Sequence, residues 1–148
     1  MKWFVVCAGT FFLAGCAQSV QLEPASTDDA TTSACSSFVG ALPVTLDGAR
    51  RANTTPKSPT TAAWGPEFIT LRCGVPTPAA LTATSQLITI NGVDWFSEKL
   101  TNGVMFTTVG RSANVEVVVP SSYAPEANVV TELSDLVSAE LPQASSAT

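Results

Sequence analysis

Two Asn-Gly dipeptides, Asn91-Gly92 and Asn102-Gly103, constrain the fold of this 148-residue chain more than any other feature. The first separates the β-rich runs QLITI and VDWF, and the second, preceded by Thr101, separates WFSEKL from VMFTTV. Asn-Gly between such runs is the strongest short-range hairpin signal, because both turn residues need positive φ. The sequence therefore predicts three consecutive antiparallel strands joined by tight turns.

Two further runs extend this predicted meander. A turn at residues 110–112 leads into NVEVVVP, whose valines alternate with other residues. FITLRCG, upstream, alternates apolar and polar side chains in the same way, which is typical of a strand with one buried face. We expect an antiparallel meander sheet of four to five strands.

Helical patterns lie on both sides of the strands. CSSFVGALP predicts a short helix that ends before Pro43, with Phe38, Val39 and Leu42 on its inner side. APEANVVTELSDLVSAELP places apolar residues at helical spacing and predicts an amphipathic C-terminal helix. The predicted fold class is α+β, with both helices packed on one face of the sheet.

The N-terminal residues have the pattern of an export signal. Lys2 precedes 13 mostly apolar residues, 3–15, which are too few to span a bilayer. LAGC, residues 13–16, fits the lipobox of bacterial lipoproteins, in which the cysteine takes a diacylglyceryl group before cleavage. We expect residues 1–15 to be a lipoprotein signal peptide and Cys16 to be lipidated; an ordinary secretory signal is the alternative.

Polar composition marks the boundaries of the folded part. Residues 16–33 are expected to be the lipidated cysteine and a disordered tether, 34–142 a single α+β domain, and 143–148 a flexible tail. Inside the domain, RRANTTPKSPTTAAWG at residues 50–65 is expected to be a flexible loop. That loop is either a plain surface segment or a site of O-glycosylation.

Two of the four cysteines, Cys35 and Cys73, remain after processing and lipidation. A pair of cysteines in an exported chain is most simply a disulfide. A zinc site needs four ligands and the chain has no histidine, while a redox pair would usually show C-x-x-C spacing. We expect a Cys35–Cys73 bridge between the first helix and the first strand, with no metal and no cofactor.

The net charge of the chain limits which partners it is expected to bind. Without Lys2, six basic and twelve acidic residues remain, a net charge of −6. No basic cluster exceeds Arg50-Arg51, so nucleic-acid binding is not expected. An acidic protein is repelled by an anionic membrane, so the lipid is expected to supply the membrane anchoring on the extracytoplasmic face.

The residue inventory disfavours catalysis. The absence of histidine removes Ser-His-Asp and Cys-His nucleophiles, and no glycine-rich phosphate loop occurs. Asp94 and Glu98 are the remaining carboxylate pair in a structured stretch. Four residues apart on a strand, they would be separated by about 13 Å, which exceeds the spacing used in glycoside hydrolysis. We expect no enzymatic activity and assign no catalytic residue.

Five side chains are candidates for a recognition surface: Trp64, Arg72, Trp95, Arg111 and Tyr123. Arginine and aromatic residues dominate binding hot spots and attract each other through cation–π contacts. On the helix-free face they would form a patch for an envelope protein or a glycan. The alternative is structural, with the aromatic residues in the core and the arginines paired with a neighbouring carboxylate such as Asp94 or Glu116.

Four short motifs carry a family resemblance: W-G at 64–65, L-R-C-G at 71–74, N-G-V-x-W at 91–95 and T-V-G-R at 108–111. With their surroundings, from about residue 35 to 141, they resemble an actinobacterial family of exported proteins, a domain of unknown function (family 3515). The resemblance implies a small, lipoprotein-like envelope protein and brings no activity or substrate.

The expected function is therefore that of a lipid-anchored, non-catalytic envelope protein that binds or organises another envelope component. The alternative is a small-ligand-binding lipoprotein that serves a membrane transporter. A buried apolar cavity would favour the second function, and an exposed aromatic patch would favour the first.

Overall fold

The computed structural model describes residues 18–145 of the chain. That part contains nine strands and two α-helices, together with a short 3₁₀-helix at Ser121–Tyr123. The strands are β1 Ser19–Gln21, β2 Thr45–Leu46, β3 Ala49–Thr55, β4 Thr61–Trp64, β5 Ile69–Val75, β6 Ile88–Ile90, β7 Val93–Leu100, β8 Gly103–Val109 and β9 Asn114–Pro120. The helices are α1 Asp29–Ala41 and α2 Ala127–Glu140. The predicted α+β class is confirmed.

The strands form one mixed sheet. Their order is β1-β3-β4-β5-β9-β8-β7-β6, and β2 pairs beside β3. Strands β6 to β9 are consecutive antiparallel neighbours, and Asn91 and Gly92 at the first turn have φ of 50° and 76°. The pair β1–β3 is parallel. The predicted four- to five-stranded antiparallel meander was therefore too small, although its core strands are present.

The prediction of a flexible loop at residues 50–65 was wrong. Most of these residues belong to β3 and β4, which pair with each other, and β4 pairs with β5. Threonine and tryptophan suit a pleated, half-buried surface. The pattern was hard to see because β3 is largely exposed while all four residues of β4 are buried, so neither strand alternates clearly.

The prediction of a disordered tether was also wrong for residues 18–33. Strand β1 pairs with residues 53–55 of β3, and α1 begins at Asp29. Asp28 caps this helix by accepting the Thr31 amide at 2.7 Å, a hydrogen bond that lowers the pKa of Asp28. Backbone pairing and capping stabilise this segment, and neither depends on hydrophobic side chains. Residues 1–17, including the predicted signal peptide and Cys16, lie outside the described residues.

The predicted tail begins as ordered chain. Gln143 forms a β-bridge with Arg111, and the Ala144 amide donates to the Gly110 carbonyl at 2.9 Å. Residues 146–148 lie outside the described part.

Both helices cover the same face of the sheet, as predicted. The inner residues predicted for α1 are buried, and so are the apolar residues at core spacing on α2. The buried apolar residues of α2 and its C-cap are Val129, Val130, Leu133, Val137 and Leu141. The Cys35–Cys73 disulfide is confirmed and joins α1 to β5. No helix within residues 18–145 is both long and apolar enough to cross a bilayer.

Candidate functional site

The five residues predicted to form a recognition patch do not share a surface. Trp64 and Trp95 are fully buried on the helix side of the sheet, and Arg111 is 8% exposed. Tyr123 is partly buried beside Gly65, where an added Cβ would overlap its hydroxyl. Arg72 lies on the opposite face of the sheet. The exposed Trp–Arg patch predicted from the sequence is therefore contradicted, because alternation along the strands turns its members to different faces.

Both tryptophans have polar partners in the core. The Trp95 Nε1–H donates to Ser134 Oγ at 2.9 Å, and that hydroxyl donates to the Val130 carbonyl at 2.6 Å. The Trp64 Nε1–H donates to the Pro43 carbonyl at 3.0 Å. Satisfied indole donors in a dry core are typical of structural tryptophans. These residues fix the helices on the sheet.

Arg111 also has a structural role. Its guanidinium donates to the Leu141 carbonyl at 3.3 Å and to the Gly92 carbonyl. It thereby joins the first hairpin turn to the C-terminal end of α2. The last carbonyls of a helix lack intrahelical partners, so a cation there is favourable. This guanidinium is committed to two backbone acceptors and is closed to an outside partner.

A groove of about 900 Å³ lies on the face of the sheet opposite the helices. Its floor comes from four central strands, β5, β9, β8 and β7, and consists of Arg72, Glu116, Thr107, Met105 and Glu98. Residues directly opposite on neighbouring strands share a face, and the register pairs Arg72 with Glu116, Glu116 with Thr107 and Met105 with Glu98. The floor is therefore one continuous surface.

Two proline-containing segments form the walls of this groove. One wall is residues 24–26, between β1 and α1, and the other is residues 76–80. The second wall begins the connection from β5 to β6, which lie on opposite sides of three intervening strands. That connection passes over the open face because it has to reach the far edge of the sheet. Proline fixes φ and removes an amide donor, so both walls are stiff without strand pairing.

Gly74 allows the first wall to approach the sheet. It has φ of 85° and lies at a bulge between Cys73 and Val75. A Cβ at this position would overlap the methyl group of Thr27. Only glycine combines this backbone conformation with that contact. The L-R-C-G motif thus brings the disulfide, the bulge and Arg72 together at one end of the groove.

The charges of the floor are arranged asymmetrically. Arg72 donates to Glu116 Oε1 through Nη2 at 2.7 Å and Nε at 2.9 Å, and their side chains are 34% and 14% exposed. These contacts leave other guanidinium donors and the second carboxylate oxygen of Glu116 available. Glu98 has no ion-pair partner in the part of the chain that the structure describes. The floor carries a net charge of −1 and several open hydrogen-bonding positions.

The groove was not predictable as a site from the sequence. The sequence predicts Arg72 as a candidate, Glu116 only as a pairing partner of an arginine, and Glu98 only as a pair with Asp94. In the structure, Asp94 accepts from the Thr89 hydroxyl at 2.6 Å, away from the groove lining. No sequence signal relates Glu98 to Arg72, because their placement in the same groove depends on strand order. Within residues 18–145, no three cysteine or carboxylate side chains are grouped to hold a metal ion.

The comparisons with known proteins give a family without an activity. A family model described as "Protein of unknown function (DUF3515)" matches residues 3–146. No curated protein and no solved structure matches the chain. The match confirms the predicted resemblance to family 3515, while the predicted exported and lipoprotein-like character stays a prediction.

Proposed function

The chain belongs to the DUF3515 family of proteins of unknown function, and we propose that it is a lipid-anchored, non-catalytic envelope protein. Its domain binds another envelope component in the groove of the open sheet face. The LAGC tetrapeptide after a short apolar segment supports the anchor. The buried disulfide supports an oxidising compartment, because such bonds persist outside the cytosol.

The observation that carries the binding role is the arrangement of Arg72, Glu116 and Glu98 between two stiff walls. Desolvation of the Arg72–Glu116 pair, whose side chains are 34% and 14% exposed, offsets part of its Coulomb attraction, so strand packing alone does not account for its position. A guanidinium with free donors and two carboxylates offers charge-assisted hydrogen bonds to a polar partner. An extended polar segment of another envelope protein, or a glycan, supplies matching groups along the floor.

The binding role predicts position-specific crosslinking in native membranes. A photo-crosslinking residue at Ala79, on the wall of the groove, should capture a partner reproducibly. The same residue at Ala139, exposed on α2, should not. Glu98→Gln should lower the Ala79 yield about tenfold, since a charged hydrogen bond contributes about 1.5–3 kcal/mol. Mass spectrometry of the adducts identifies the partner.

The matched control for that substitution is Glu140→Gln, which removes an exposed carboxylate on α2 without touching the groove. Equal adducts from Ala79 and Ala139, or equal losses from the two glutamine variants, would exclude the groove as the binding site.

The anchor predicts a fractionation result. Cys16→Ala should move the protein out of the membrane fraction or leave it as an unprocessed precursor, since the acyl chains have no attachment point. Cys7→Ala, inside the predicted signal peptide, is the control and should leave fractionation unchanged. Intact-mass measurement separates precursor from mature protein. A mature, membrane-bound Cys16→Ala protein would show that the lipobox interpretation is wrong.

Small-ligand binding for a transporter is the second candidate function. The groove volume of about 900 Å³ lies within the range of ligand sites, roughly 300–1,000 Å³. Native mass spectrometry of the purified protein distinguishes the two candidates. A co-purifying small molecule that is lost in Glu98→Gln supports ligand binding, whereas a protein or glycan adduct at Ala79 supports the leading proposal.

A further inference from the structure

The free positive charge of the domain is concentrated at one edge of the sheet. Two of the six basic residues in the described part are committed, Arg72 to Glu116 and Arg111 to backbone carbonyls. Three of the other four lie on β3 and the turn that follows it. This basic edge consists of Arg50, Arg51 and Lys57.

The basic edge borders two hollows, and its two arginines, adjacent on β3, extend from opposite faces of that strand, with Arg51 on the side of Trp64. A hollow of about 530 Å³ is lined by Gln18, Arg50 and Arg51, among others. A second hollow, of about 320 Å³, is lined by Arg51 and Lys57. Arg51 therefore belongs to both hollows, where its guanidinium lies 4.9 Å from the centroid of the Trp64 ring.

No carboxylate of the described residues forms a salt bridge with the basic edge. The acidic residues nearest to it in sequence are Asp47, Glu67 and, after β1, Glu23, and none of them forms an ion pair with it. Burial lowers the pKa of Arg51, as expected for a partly desolvated cation without a counter-ion. A cluster of unpaired cations in a protein with net charge −5 indicates an anionic partner.

The position of the basic edge indicates which anionic surface it meets. Gln18 lines the first hollow and lies two residues after Cys16. Two residues of chain span at most about 7 Å. Strand β1 is parallel to β3 with Ser19 opposite Asn53, so Gln18 lies toward the end of β3 that carries Arg51 and Arg50. A lipid on Cys16 would bring these arginines within about one Debye length, roughly 8 Å, of the headgroups.

We propose that the basic edge, Arg50, Arg51 and Lys57, rests on anionic phospholipid headgroups and orients the domain on the membrane. This inference rests on the proposed anchor at Cys16. With the β3 side of the sheet toward the headgroups, and β1 and β2 outermost, strand spacing places β5 about 10 Å and β7 about 24 Å beyond β3. The groove, which spans β5 to β7, would then lie above the headgroups. It would open into the envelope space in a direction parallel to the membrane plane.

This orientation predicts tighter binding to anionic vesicles, whereas the net charge of the chain predicts repulsion from them. A mature chain of charge −6 should avoid anionic vesicles if it meets them in a random orientation. Each Lys or Arg at an anionic surface strengthens binding about fivefold, so three predict an increase of about a hundredfold. Acidic residues farther away than a Debye length are screened.

The test uses the mature chain, residues 16–148, coupled through the Cys16 thiol to one myristoyl-length chain. One such chain gives marginal, reversible membrane binding, which makes changes in affinity measurable. Co-sedimentation compares phosphatidylcholine vesicles with vesicles that also contain phosphatidylglycerol. We expect much tighter binding to the anionic vesicles and loss of most of that gain in Arg50→Gln/Lys57→Gln, which leaves the Arg51–Trp64 contact intact.

Lys99→Gln is the matched control, because Lys99 is the remaining uncommitted cation and lies on β7 near the other edge of the sheet. Equal or weaker binding to anionic vesicles, or an equal loss in Lys99→Gln, would overturn the proposal. Inorganic phosphate that abolishes the gain when chloride of equal ionic strength does not would assign the edge to a small anion, and would also overturn it. The lipid is attached chemically, so failure here rejects headgroup contact alone, whereas failure of the fractionation test rejects the anchor.

Discussion

Removing the Cys35–Cys73 disulfide is expected to lower the free energy of unfolding by about 4 kcal/mol. The bridge closes a loop across 38 residues, and in the chain-entropy model such a loop restricts the unfolded chain by about this amount. Both sulfur-bearing side chains are fully buried between α1 and β5, so the double variant Cys35→Ala/Cys73→Ala also loses packing. Denaturant unfolding of the oxidised, reduced and double-alanine proteins measures the effect.

Cys16→Ser is the control, since it removes a cysteine without touching the bridge. Its unfolding midpoint should equal that of the parent protein, and intact mass should rise by two hydrogens on reduction in both. Free thiols at Cys35 and Cys73 before reduction, or identical midpoints for the oxidised and reduced proteins, would contradict the prediction. A large loss on reduction also supports the proposed export, because a domain of this kind would be poorly stable in a reducing cytosol.

Trp95→Ala is expected to destabilise the domain by about 4 kcal/mol, since truncating a buried tryptophan costs about 3–5 kcal/mol. Trp95 is fully buried between β7 and α2, and its indole donates to Ser134. Its removal leaves a cavity beneath the helix and takes the indole partner away from Ser134. Thermal and denaturant unfolding of the variant measure the loss.

Two further variants separate packing from recognition. Trp95→Phe removes the indole donor and part of the ring volume, while Ser134 keeps its bond to the Val130 carbonyl, so its cost should be a fraction of that of alanine. The folded Trp95→Phe protein should keep the crosslinking yield at Ala79. A stable Trp95→Ala protein that loses the crosslinked partner at Ala79 would instead show that Trp95 belongs to the recognition surface, as the sequence suggested.

Local features were predictable because their causes lie within a few residues. The turn at Asn91-Gly92 depends on which residues accept positive φ, and the inner faces of the two helices depend on a spacing of 3–4 residues. The strand from Ile69 was recognisable from its alternation of apolar and polar residues. The Cys35–Cys73 bridge was predictable because few other uses of two cysteines were open to a chain with a predicted export signal.

Long-range features were missed or misassigned. Strand β1 has three residues and no apolar pattern, and it exists because β3 supplies its backbone partners. Strand β4 is buried on both faces, so Thr61 to Trp64 show no alternation. Arg111 belonged to a well-recognised motif, but its role depends on the positions of Gly92 and Leu141, which only tertiary packing sets.

The sequence by itself determined the two helices, the strands from Ile69 onward with their buried faces, the disulfide and the family, because each follows from local periodicity, turn chemistry or residue identity. The tertiary structure decided which charges meet. Arg72, Glu116 and Glu98 share a groove through strand order and register. The basic edge lies beside residue 18 because β3 pairs in parallel with β1. Strand order is set by packing the whole chain into one core, so both candidate surfaces become visible only in three dimensions.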